Sequence, residues 1–130
     1  MTIKFIGPRL LVINYEACLQ FYQDILGFEV TYKDVDGEEA DLKLGEMSLN
    51  IIKWQSMANL TDHPDKPSTT ISDKIMLTFE TPDVEQTYQQ LKAKGANFVT
   101  EPTFRPDWQV KTVYLRDPDS NLIGIYQVIR

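Results

Sequence analysis

Few side chains in this sequence are suited to chemistry at all. There is one histidine, His63, in the loop sequence Asp62-His63-Pro64, and one cysteine, Cys18. A zinc or iron centre takes at least three His, Cys or carboxylate donors, so His63 cannot build one alone. Cys18 has no His or basic cluster near it in sequence that would hold a thiolate, and it adjoins an apolar stripe at Phe21 and Ile25, so it reads as packing. A single cysteine also rules out an internal disulfide and fits a reducing compartment. The carboxylates Asp117 and Asp119 have the spacing of an acid–base pair. They sit in Asp117-Pro118-Asp119-Ser120-Asn121, however, where Asp and Asn side chains bond the local backbone, so they read as turn formers.

The elements that must position any site come as a tandem repeat. In the first copy Leu10-Leu11-Val12-Ile13 leads into a helical stretch Tyr15 to Leu26, closed by Gly27, and a later strand carries Leu49-Asn50-Ile51. In the second, Leu77-Thr78-Phe79-Glu80 leads into Asp83 to Lys94, closed by Gly95, with Ile123-Gly124-Ile125 further on. A repeat at a period of about 70 residues decides the architecture before any motif does. Asn14 and Asp83 are placed as helix N-caps, with Glu16 and Glu85 in the first turns where they suit the helix dipole. Leu19, Tyr22 and Leu26, and then Val84, Tyr88 and Leu91, form the apolar stripes of helices lying on sheets.

Alternating stretches fill the intervals: Phe28 to Val35, Ala40 to Leu44 and Met47 to Trp54 in the first copy, with turns at Asp36-Gly37 and Gly45-Glu46. The second copy predicts strands near Asn97 to Thr100, Gln109 to Arg116 and Asn121 to Val128. The expected string is βαβββ twice, an α+β architecture of module 1 at about 4–54, a linker at 55–73 and module 2 at about 74–130. The linker is rich in Ser, Thr, Asp and Pro and reads as a lid or a tether.

Composition narrows the partners. The chain has 130 residues, a net charge of −6 and 42% hydrophobic residues. It lacks the basic face that nucleic-acid phosphates require. No apolar run approaches the roughly 20 residues of a membrane helix, and the N-terminus does not read as a signal peptide, so a cytoplasmic address is expected.

Phe21-Tyr22-Gln23-Asp24-Ile25-Leu26-Gly27-Phe28 resembles the Phe-Tyr…Leu-Gly-Phe block of the vicinal oxygen chelate superfamily, the glyoxalase, bleomycin-resistance and dioxygenase group. Tyr114-Leu115-Arg116-Asp117-Pro118-Asp119-Ser120-Asn121 resembles its Asp-Pro-Asp-Gly-Asn block. The resemblance spans nearly the whole chain. It implies two βαβββ modules whose sheets form a curved, partly open barrel around a cleft, and commonly a homodimer. Metal-using members carry His, Gln or Glu on four strands; the blocks align those places with Gly7 (Pro8 and Arg9 as slips), Asn50, Met76 and Gly124. None is a ligand of the family's type, so no metal and no cofactor are expected.

Strand parity around those positions gives a candidate cleft. Gly7, Arg9, Leu11 and Ile13; Asn50, Ile52 and Trp54; Met76, Thr78 and Glu80; and Leu122, Gly124 and Tyr126 face one way. Leu10, Val12, Leu49, Ile51, Leu77, Phe79 and Ile125 face the helices. The candidate ligand-binding residues are Arg9, Asn50, Trp54, Met76, Thr78, Trp108 and Tyr126, with no catalytic residue identified. Apolar and aromatic walls with few polar groups suit a small aromatic or amphipathic ligand, and the acidic charge suits a cationic one. The expected function is metal-free small-molecule binding by a homodimer. The rivals are an enzyme with a relocated metal site at Glu80, Glu101 or Asp41, or with Arg9 and a Tyr as acid–base groups, and a regulatory or interaction module.

Overall fold

A computed structural model describes residues 2–61 and 73–129. His63 and most of the expected linker lie outside those residues. The chain divides into two compact units, residues 1–69 and 70–130.

Unit 1 runs β1 (Arg9–Val12), α1 (Tyr15–Gln20), a π-helical stretch (Phe21–Ile25), β2 (Glu29–Lys33), β3 (Glu39–Leu44), β4 (Met47–Lys53) and α2 (Trp54–Thr61). Its sheet order is β1-β4-β3-β2, with β1 parallel to β4 and the other pairs antiparallel. Asn14 occupies the N-cap of α1, and its carbonyl accepts from the Cys18 N–H at 2.9 Å, but its side chain makes no capping bond. The expected helix does reach Ile25, though its second half is wound wider: the Leu26 N–H bonds to the Phe21 carbonyl, five residues back. That insertion swings both Phe21 and Tyr22 inward, and both are buried beside Tyr15, Cys18 and Leu19. The Lys53 ammonium lies over the Tyr15 ring at 5.8 Å, so the face of β4 carrying Lys53, Ile51 and Leu49 is the one that α1 covers.

Unit 2 runs β5 (Met76–Glu80), α3 (Val84–Ala93), β6 (Asn97–Phe98), β7 (Thr103–Arg105), β8 (Val110–Arg116) and β9 (Leu122–Val128). The order is β5-β9-β8-β6, β5 parallel to β9, with β7 on the same side of β8 as β6 but at its other end. Both units therefore share the order first-last-third-second, the βαβββ repeat read from the sequence. Asp83 caps α3, its carboxylate accepting from the Gln86 N–H at 3.1 Å. Tyr88 of α3 meets Phe98 edge-on at 4.7 Å, Lys111 pairs with Glu85 at 3.2 Å, and the Gln127 side chain accepts from the Val84 N–H at 2.9 Å. These contacts place Leu77, Phe79, Val113, Leu115, Ile123 and Ile125 on the helix side and leave the other face of the sheet uncovered by α3.

Two expectations need correction. Trp54 does not end a strand: β1 runs out opposite Lys53, so β4 has lost its parallel partner there and the chain turns into α2, with Trp54 as its first residue. The linker accordingly begins as a helix through Thr61. Leu10 and Leu77, assigned to the helix-covered faces, are only half-buried, whereas Leu49 and Ile125 are buried.

Candidate functional site

Unit 2 gathers its chemistry on the helix-free face. The ladder sets Met76, Thr78 and Glu80 beside Leu122, Gly124 and Tyr126, and these beside Thr112, Tyr114 and Arg116. At the centre is Gly124. A Cβ there would come 3.0 Å from Tyr126 Cε1 and 3.1 Å from both Met76 Sδ and Tyr114 Cε1, so two phenol rings and a thioether close over the bare backbone. The two rings meet edge-on with centroids 6.1 Å apart, and their hydroxyls hydrogen-bond at 3.1 Å. That bond, then burial and the charge of Tyr114, push the Tyr126 phenol up to about 12, against the pull of Arg105. A tyrosine so raised is a poor base at neutral pH.

Arg105 enters from β7. Its Nε–H donates to Thr112 Oγ1 at 3.3 Å, and Thr112 has no exposed surface, so the guanidinium is tied to the middle of β8. Phe104, Arg105, Pro106, Asp107, Trp108 and Tyr114 line a cavity of about 390 Å³. Trp108 rides on a tight turn: its N–H bonds to the Arg105 carbonyl at 3.2 Å, and Gln109 (φ 55°) returns backbone and side-chain bonds to the Pro106 carbonyl at 3.3 and 2.8 Å.

In unit 1, Arg9, Asn50 and Asp41 stand side by side across three strands of one sheet. The Asn50 amide donates to Asp41 Oδ1 at 2.7 Å and to Glu39 Oε1 at 3.2 Å, bridging two carboxylates, while its buried Oδ1 has no hydrogen-bond partner among the described residues. Arg9 and Asn50 share a cavity of about 290 Å³ with Asp41, Lys43, Ser48 and Thr31.

Of the residues singled out in the sequence, Arg9 and Asn50 meet in unit 1, and Met76, Thr78 and Tyr126 share the open face of unit 2. Trp108 borders Tyr114 in the second cavity. Trp54 lines neither cavity. Sequence reasoning missed Tyr114, Thr112 and Arg105. The alternation Thr112-Val113-Tyr114-Leu115-Arg116 held the signal for the first two, since it sets polar residues against apolar ones along a strand.

The donor set does not fit a metal of the kind that the resemblance implies. Gly7 sits at φ 127°, and a Cβ there would strike the Ser48 carbonyl oxygen at 2.8 Å, so no side chain can be carried at that place. Asn50 has turned its amide nitrogen toward carboxylates, Met76 offers a soft thioether, and Gly124 is roofed by rings. Among the described residues no three His, Cys, Asp or Glu side chains cluster so as to hold an ion. Asp117 is a turn residue: its carboxylate accepts from the N–H groups of Asp119 and Asn121 and from the Asn121 amide at 2.8 to 2.9 Å.

The sequence matches the Glyoxalase/Bleomycin resistance protein/Dioxygenase superfamily over residues 3–125. The chain belongs to that superfamily. It is 30% identical over 128 residues to the uncharacterized protein YraH of Bacillus subtilis, covering 98% of this chain and 100% of the relative. Among solved structures, a superfamily member from Nocardioides superposes with a TM-score of 0.84 at 19% identity, covering 100% of this chain and 87% of the other. A lactoylglutathione lyase from Agrobacterium tumefaciens gives 0.73 at 20% identity (98% and 96% covered). TnmS3, an antibiotic-binding protein from Streptomyces, gives 0.70 at 22% identity (98% of each). At these identities the solved structures establish the fold. The fold thus carries both a lyase and an antibiotic-binding protein, and the side chains must decide between such roles.

Proposed function

We propose that the protein is a metal-free small-molecule-binding member of the superfamily, holding an organic ligand against aromatic walls without transforming it. The carrying observation is the environment of Gly124: a position aligned with a metal ligand bears no side chain, and Tyr114, Tyr126 and Met76 fill its place with surfaces suited to contact rather than coordination. Trp108 extends that wall, and it is 61% exposed although its loop is tightly bonded. Arg9 and Asn50 contribute polar groups in unit 1. The acid–base alternative loses support from Tyr126, whose hydrogen bond to Tyr114 favours the protonated phenol.

The same reading carries a homodimer in the cytoplasm with a small-molecule partner. The net charge of −6, which repels nucleic-acid phosphates, bears on the partner, and the lone, buried Cys18 fits a reducing compartment; the homodimer rests on the family resemblance alone. Among the described residues no helix is long and apolar enough to cross a membrane.

The test is a thermal-shift screen of aromatic compounds run with and without a chelator, followed by Trp108→Ala. Stabilisation that survives the chelator and weakens in the variant is the expected result. Turnover that depends on a stoichiometric divalent ion would sink the reading.

A further inference from the structure

We propose that the cavity of unit 2 selects planar aromatic carboxylates, with Arg105 as its specificity-determining residue. This names the ligand class of the site described above and rests on that reading. It also departs from the cationic ligand that the overall acidity suggested.

The argument starts from how Arg105 is held. A surface arginine loses its charge advantage to side-chain entropy, but this one is half-buried, with Nε spent on the fully buried Thr112 hydroxyl at 3.3 Å. Anchoring at Nε leaves both terminal nitrogens of the fork for a partner, the pair that matches the two oxygens of a carboxylate. Among the described residues no carboxylate lies within ion-pair distance of Arg105. Asp107, the other charged residue lining the cavity, is exposed and makes no ion pair with it. Besides Arg105 and Asp107, the cavity is lined by Trp108, Tyr114, Phe104 and Pro106, all flat or apolar. A cation with open donors in a cavity that also has aromatic walls suits a ligand whose charge and ring lie in one plane.

The net charge of −6 opposes anions at long range, but such fields are screened beyond about 8 to 10 Å at physiological salt. Contact with Arg105 therefore sets the preference once a ligand is seated. Asp107 works against it, which gives the site a second handle of opposite sign.

The experiment is calorimetric titration of the full chain with 2-naphthoate, its uncharged counterpart 2-naphthamide, and the cation 2-naphthylmethylammonium. The expected order is naphthoate first, by about tenfold over the amide, the size of one charge-assisted bond. Arg105→Gln should erase that difference, the naphthoate losing more affinity than the amide. Asp107→Asn should widen it, and because Asp107 is exposed this variant stays informative even if the arginine substitution unfolds. Equal binding of all three compounds, or tightest binding of the ammonium, overturns the carboxylate selectivity while leaving an aromatic site intact. Failure of all three to bind overturns the site itself and the selectivity with it. A preference for naphthoate that survives Arg105→Gln would remove Arg105 from the role.

Discussion

The phenol oxygens of Tyr114 and Tyr126 lie 3.1 Å apart, joined across the gap that Gly124 leaves in the sheet. Tyr114 stands opposite Gly124 in the ladder, and Tyr126 is two residues further along β9, so the rings reach diagonally rather than directly across. This geometry stiffens the wall and withholds the Tyr126 proton.

The Tyr126 phenol should ionise near pH 12 and fall toward the ordinary value of about 10 in Tyr114→Phe. Because the folded value is raised above the unfolded one, the associated stability is complete below about pH 10 and is lost as pH rises through about 12. Tyrosinate absorbance, with Tyr126→Phe to assign the step, measures it. An unmoved step in Tyr114→Phe would mean that the hydroxyls do not share a proton in solution.

Gly124→Ala puts a methyl within 3.0 to 3.1 Å of two ring edges and a sulfur. All three are ends of side chains that can yield by tenths of an ångström, so the fold should survive at a cost of about 1 to 3 kcal/mol. The wall should open and aromatic affinity should fall. A melting temperature and an affinity both equal to those of the native chain would refute this account of the site.

Asn50→Leu removes the amide that bridges Glu39 and Asp41. Two carboxylates then lose a shared donor, and the loss should be about 1 to 3 kcal/mol by urea titration. The opposing term is the unpartnered Oδ1, whose burial already costs something in the native chain. A variant more stable than the native chain would show that the orphan oxygen outweighs the bridge.

Asp117→Ala deletes three hydrogen bonds inside the turn between β8 and β9. Stability should drop by about 1 to 3 kcal/mol, with aromatic affinity per folded molecule unchanged. Loss of affinity at full folding would return Asp117 to the functional residues.

How much was legible follows residue by residue. The repeat, the capping carboxylate of Asp83 and the parity of β5 and β9 were written in local pattern, because a strand alternates and a helix start needs an acceptor. Trp54 was not, because alternation through Asn50 and Ile52 continues on paper after the parallel partner β1 has ended in space. The π-helical winding of Phe21–Ile25 was equally hidden, since an apolar stripe tolerates one inserted residue. Arg105 escaped notice because its role depends on Thr112, seven residues away on a neighbouring strand. The short β7, bracketed by Pro102 and Pro106, is absent from the expected strands for the same reason: its pairing with β8 is a tertiary fact.

One edge of each unit's sheet is interrupted. Thr31 breaks the register of β2 against β3, and the strand beside β8 is cut into β6 and β7, with the Val99 and Thr100 N–H groups both turned onto the Tyr114 carbonyl. A broken strand is a poor template for another chain, since the regular row of donors and acceptors that an incoming strand would copy is missing. Any second molecule that meets these margins must do so through side chains. The irregularity that breaks this edge around Arg105 and Trp108 therefore also guards that edge against strand-by-strand assembly.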